Sequence, residues 1–149
     1  MKIPEVIFRF QTEQTTSASL EAIKYEILQK LKEYDYRVTA VTTNSVTFKE
    51  KPGMVVTGVE SKKLLSGGEF LINQLEYSNT LVFNYRINIL PGFVILFIVL
   101  TFCIIERMYS GIPFFGGFFL IASVFQYFSF KTAGKEILDE IITEAIDIT

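Results

Sequence analysis

The sequence predicts an α+β domain, one helix on an antiparallel sheet, followed by a two-helix transmembrane hairpin and a C-terminal amphipathic helix. Three observations predict it. Residues 1–90 carry charges interleaved with short apolar periods, as a water-exposed domain does. Residues 91–130 hold two nearly charge-free apolar runs, and residues 131–149 return to a charged pattern with helical spacing.

Composition narrows the chemistry. The chain has 149 residues, half of them hydrophobic and 15% aromatic. Residues 1–90 have 11 Lys and Arg against 10 Asp and Glu, and residues 131–149 have 2 against 5. Charges so evenly balanced create no field that argues for nucleic acid or lipid headgroups, so any such site must be local. The chain has no His, and its one cysteine, Cys103, lies inside the first apolar run. Intrachain disulfides, Cys or His metal sites and His-dependent triads are thereby excluded. No carboxylate pair or dinucleotide glycine pattern stands in a mechanistic context, so neither an enzyme nor a cofactor is expected.

Each element follows in order. Val6, Phe8 and Phe10 alternate with Ile7 and Arg9, the period of a strand with one buried face. Leu20, Ile23, Ile27, Leu31 and Tyr34 recur at helical steps, giving a helix from Leu20 to Glu33 with Glu21, Lys24, Lys30 and Lys32 on its solvated side. Tyr36 to Val41 and Val46 to Glu50 read as a hairpin turning at Thr43-Asn44, and Pro52-Gly53 ends it. A short strand is expected at Met54 to Val59, then a loop from Ser61 to Gly68. Strands Phe70 to Leu75 and Leu81 to Ile89 complete the sheet. One helix covers only one sheet face. Partial closure, a neighbouring subunit or the C-terminal segment could each cover the other.

The apolar runs extend from Phe93 to Ile105 and from Met108 to Phe130, broken only by Glu106-Arg107 at a short turn. Spanning about 30 Å of hydrocarbon takes about 20 helical residues, so the second run spans with ease and the first needs its end residues. Lys49, Lys51, Lys62, Lys63, Arg86, Lys131 and Lys135 flank the hairpin, which places both termini in the cytoplasm. The opening residues lack the apolar core and cleavage site of a secretory signal, in keeping with a multi-pass chain whose termini stay in the cytoplasm. Gly116 and Gly117 offer a small-residue contact face. Thr101, Ser123, Gln126 and Ser129 are the polar side chains at depth, either gluing helices together or lining a pore. Two helices enclose no pathway, so a channel requires several copies. On the final segment Leu138, Ile141, Ile142 and Ala145 form an apolar stripe that packs on its own sheet, bundles with its copies or lies on the membrane, the last disfavoured by its acidic polar face.

The candidate ligand site is Lys62-Lys63 ahead of Ser66-Gly67-Gly68, with Lys49, Lys51 and Arg86 along the same edge. Ammonium groups and exposed backbone N–H groups at such a loop hold phosphate, as in a nucleotide or short oligonucleotide.

A small cytoplasmic domain, two closely spaced apolar runs and no enzyme residues together resemble the membrane effectors of bacterial antiphage operons, particularly the channel-forming effector of Hailong-type defence. The likeness is architectural and carries over no individual residue. It implies a homo-oligomeric channel of the bacterial inner membrane, a tetramer, held closed by single-stranded DNA oligomers or nucleotides from a partner nucleotidyltransferase and opened to depolarise the membrane. The competing expectation is a membrane-anchored adaptor or scaffolding module without a pore.

Overall fold

The computed structural model describes residues 7–51 and 61–148. The strand expected at Met54 to Val59 lies outside the described residues. Strand β1 spans Ile7–Thr16, helix α1 Leu20–Glu33, β2 Arg37–Val41, β3 Ser45–Lys49, β4 Gly67–Gln74 and β5 Asn79–Asn88. Helix α2 spans Leu90–Ile105 and α3 spans Gly111–Ile148. The strands form one antiparallel sheet in the order β1-β5-β4-β3-β2.

Helix α1 falls where its period places it. Ser19 caps it by accepting a hydrogen bond from the Ala22 N–H at 3.2 Å. It ends when Asp35 turns to φ 61° and the Tyr36 N–H reaches back to the Leu31 carbonyl at 2.8 Å. Ile23, Ile27 and Leu31 are buried against Val46 and Phe48 of β3, Phe70 and Ile72 of β4 and Leu81 and Phe83 of β5. The rings of Phe70 and Phe83 stack at 4.1 Å across the strand pair.

The C-terminal half of α3 completes this core. Ile137, Leu138, Ile141, Ile142 and Ala145 are buried in the same cluster, beside α1 and on the same sheet face. Of the three expected placements for the final segment, packing on its own domain is the one observed. It leaves the opposite sheet face with no described helix upon it.

Two expectations need correction. The two-helix transmembrane hairpin with a separate amphipathic helix is not what forms. Instead α3 is one helix of 38 residues that runs through Phe130 without a break. The reason is local: Lys131 to Lys135 contains no proline, and Gly134, mid-helix, costs only about 1 kcal/mol against alanine. Helix α2 has 16 residues, about 24 Å of rise, short of the roughly 30 Å hydrocarbon layer. Asn88 and Pro91 bound it on one side, the Asn88 Oδ1 accepting from the Leu90 N–H at 3.0 Å. Arg107 bounds it on the other, turning to φ 56° while the Met108 N–H closes on the Cys103 carbonyl at 2.8 Å. Among the described residues α3 alone is long and apolar enough to cross a membrane.

The expected loop from Ser61 to Gly68 is likewise shorter than it reads. Ser61–Lys63 is a 3₁₀ turn, and Gly67 and Gly68 already belong to β4. They behave as strand glycines because the backbone of Phe48 and Asn84 approaches where a Cβ would stand, and Gly67 has φ 149°.

Candidate functional site

Helix α2 and the first half of α3 form an apolar arm that leaves the domain at the end of β5. They touch through Phe93 and Phe119, whose rings lie 5.4 Å apart, and through Cys103, which packs against Gly111. Nearly everything else on the arm faces outward. None of the most apolar 18-residue stretch of α3 is buried, and Phe97 and Phe125 are 72% and 73% exposed. Where the arm meets the domain, an apolar cavity of about 750 Å³ is lined by residues including Phe8, Ile87, Ile89, Phe93, Phe119 and Gln126.

The helix then locks onto the domain. Gly134 lets Tyr85 lie directly against the α3 backbone: a Cβ there would overlap the Tyr85 ring. The Tyr85 hydroxyl donates to the Phe130 carbonyl at 2.8 Å, and burial lifts its pKa to about 12. Further along, Lys30 of α1 bridges Glu33 at 3.2 Å and Glu144 at 2.8 Å, and Lys62 bridges Glu136 at 3.2 Å and Glu140 more closely. Tyr34 donates to Glu140 at 2.5 Å. Burial opposes the charge on Glu140, but Lys62, the Tyr34 hydroxyl and Lys30 together hold its pKa below 4.5. For Lys62, burial is outweighed by Glu140 and Glu136, and for Lys30 the bond to Glu144 outweighs burial, so both stay charged above 10.5. Glu26 moves the other way, raised by burial and by Glu144.

The signs define a window. Glu140's lowered pKa supplies stability that is present above pH 4.5 and lost as pH falls through its folded value, while Glu26 partly offsets that loss. The lysines' contribution is full below pH 10.5 and lost above it. Glu140→Gln is expected to cost about 1 kcal/mol at neutral pH, discounted because the Glu140 side chain is 35% exposed. It should also flatten the acid limb of a melting-temperature profile below about pH 5. An acid limb as steep as the parent's would show that Glu140 does not carry it.

The residues singled out in the sequence are dispersed by this geometry. Lys62 is committed to carboxylates of α3. The Tyr36 hydroxyl donates to the Lys62 carbonyl at 2.7 Å and accepts from the Leu65 N–H at 2.9 Å, pinning this turn to the core. Lys63 closes the turn. Lys51 pairs with Asp35. Ser66 is structural, its hydroxyl accepting from the Asn88 N–H at 2.8 Å. On the arm, Thr101 and Ser123 return their hydroxyls to the Phe97 and Phe119 carbonyls of their own helices at 2.8 Å. Ser129 meets Ser61 at 2.5 Å, and Gly116 and Gly117 face open space.

Lys49 and Arg86 are brought together, with two partners that sequence reading missed. In the strand register Arg9 of β1 faces Arg86, Arg86 faces Gly67, Gly67 faces Lys49, and Lys49 faces Arg37 of β2. Residues in register share a face, and this face is the one without helices. Four cations therefore cross the sheet in one row. None is in an ion pair among the described residues. Arg9, Arg86, Gln11, Asn84, Thr47 and Glu69, with Phe10, Tyr85 and Gly68, line a shallow cavity of about 540 Å³ here. Alternation marks each cation as facing away from the core, since Arg9 sits between Phe8 and Phe10 and Arg86 between Tyr85 and Ile87. Only the register makes them neighbours.

No protein-family model matches this chain, no curated protein matches it in sequence, and no solved structure matches its fold. Nothing in these comparisons links the chain to antiphage effectors.

Proposed function

We propose that the chain is a membrane-attached binding module. Its apolar arm inserts into a bilayer, and the unbroken α3 holds the α+β domain against the bilayer surface. The observation that carries this reading is that no residue in the most apolar stretch of α3 is buried. A core helix of comparable hydropathy would be buried by its own protein, whereas this one leaves Phe118, Ile121, Phe125 and Phe128 to the surroundings. In water so large an apolar surface is costly, at about 25 cal/mol per Å², and lipid removes that cost. The test is flotation of the full chain with phosphatidylcholine vesicles after an alkaline carbonate wash. The chain should stay with the vesicles, and recovery in the soluble fraction as a monodisperse monomer would sink the reading.

Gln126 favours a second reading. Its amide is exposed on the apolar half of α3 and makes no hydrogen bond among the described residues, and Gly116 and Gly117 leave room for another helix. Several copies of α3 side by side would satisfy that amide and form the ligand-controlled conduit the resemblance implies. A mass measurement in detergent separates the two readings, because a monomer leaves no conduit.

A further inference from the structure

From the cation row on the open sheet face we infer a site for anionic phospholipid headgroups, positioned by the arm. This inference rests on the membrane reading above. Arg9, Arg86, Lys49 and Arg37 stand in register on four of the five strands, with Gly67 of β4 between Arg86 and Lys49, a row about 19 Å long at roughly 4.8 Å per strand. Its place along the strands is as informative as its charge. Arg86 precedes Asn88, the last residue of β5, by two positions, and α2 begins at Leu90. Two strand residues rise about 7 Å, and the headgroup layer on each side of a bilayer is about 5–8 Å thick. With the arm in hydrocarbon, the row therefore stands at phosphate depth. Lys131 and Lys135, both exposed, flank the base of the arm just beyond Phe130.

The carboxylates are arranged to match. Glu69 lies one row further from the arm, paired with Asn84 and Thr47, and Glu13 lies one row further again, opposite Val82. The open face thus grades from cationic beside the arm to acidic away from it. Guanidinium groups hold phosphate oxygens through paired N–H donors, and Gln11 and Asn84 add neutral donors in the same shallow cavity. The face carries no aromatic side chain in its registered rows, so it offers no stacking platform for the bases of a single-stranded nucleic acid. Phosphate is recognised here without a base, which is the chemistry of a phospholipid surface.

The experiment uses the full chain reconstituted in phosphatidylcholine vesicles doped with spin-labelled phosphatidylglycerol or spin-labelled phosphatidylcholine. The motionally restricted fraction of each label gives the relative association. The wild-type chain should prefer phosphatidylglycerol roughly fivefold, the effect of about one fully engaged cation, and the preference should shrink as salt is raised. The R9Q/R37Q/K49Q/R86Q variant should lose it while still floating with vesicles. The exposed pair R37Q/K49Q should lose part of it, and decides the matter if the fourfold variant does not fold. An unchanged preference in a folded variant, or no preference in the wild type, overturns the headgroup site. So does displacement of the labelled lipid by a short oligothymidine that binds more tightly. A chain that does not float at all fails the membrane reading instead, so the two failures are distinct.

Discussion

Gly134→Ala is expected to unfold the junction between α3 and the sheet, at a cost of about 2–3 kcal/mol, the upper range for overpacking. The added Cβ occupies the volume of the Tyr85 ring, which is itself stacked on Phe83 at 4.7 Å and on Phe10 at 5.2 Å. The ring has nowhere to retreat, so the helix must lift, and lifting it breaks the hydrogen bond from Tyr85 to the Phe130 carbonyl. Intrinsic helix propensity pulls the other way, since alanine is the better helix former by about 1 kcal/mol. The sign of the result therefore decides whether close approach or propensity governs this position. For a domain of this size the loss corresponds to a fall in melting temperature of roughly 10 °C. Tyr85→Leu should recover part of it in the double variant, because the two changes share one contact. A Gly134→Ala chain that melts at or above the parent temperature would show that the helix does not sit on Tyr85 as described.

The second large effect is on membrane attachment. Ile121→Asp with Phe125→Asp places two carboxylates, one turn apart, on a face of α3 where both side chains are exposed. Near the centre of a bilayer each charge opposes insertion by about 2.5–3.5 kcal/mol, and removal of the apolar side chains adds to that. The doubly substituted chain should leave the floating fraction. Its domain should be unaffected, because neither position contributes to the buried core around Phe83 and Ile141. Unchanged carbonate-resistant flotation would mean that this part of α3 does not contact lipid.

The domain was largely legible in the sequence because its elements are encoded locally. The spacing of Leu20, Ile23, Ile27 and Leu31 specifies α1, and the alternation through Val46 and Phe48, and Phe83 and Tyr85 specifies strands and their buried faces, whereas in β1 Phe10 is only partly buried and Phe8 is half exposed. The limits of legibility were also physical. Gly67-Gly68 has the composition of a loop but lies in a strand, where the neighbouring backbone demands glycine. The boundary at Phe130 marks a change of surroundings and not of backbone, since Lys131 and its successors continue the helix that the apolar run began. The row of cations depends on pairing between strands far apart in sequence, as when Arg9 faces Arg86, and no local period reports such a register.

Because α3 is a single helix, about 57 Å long for its 38 residues, the arm and the domain share one axis with no joint between them. A rod seated in a bilayer adjusts its tilt to the hydrocarbon thickness around it. Here any change of tilt is transmitted undiminished to the domain, because Gly134, Tyr85 and the carboxylates paired with Lys30 and Lys62 fix the rod to the sheet. If α3 is seated in a bilayer as proposed, the angle at which the open face meets the bilayer surface would follow the thickness of that bilayer.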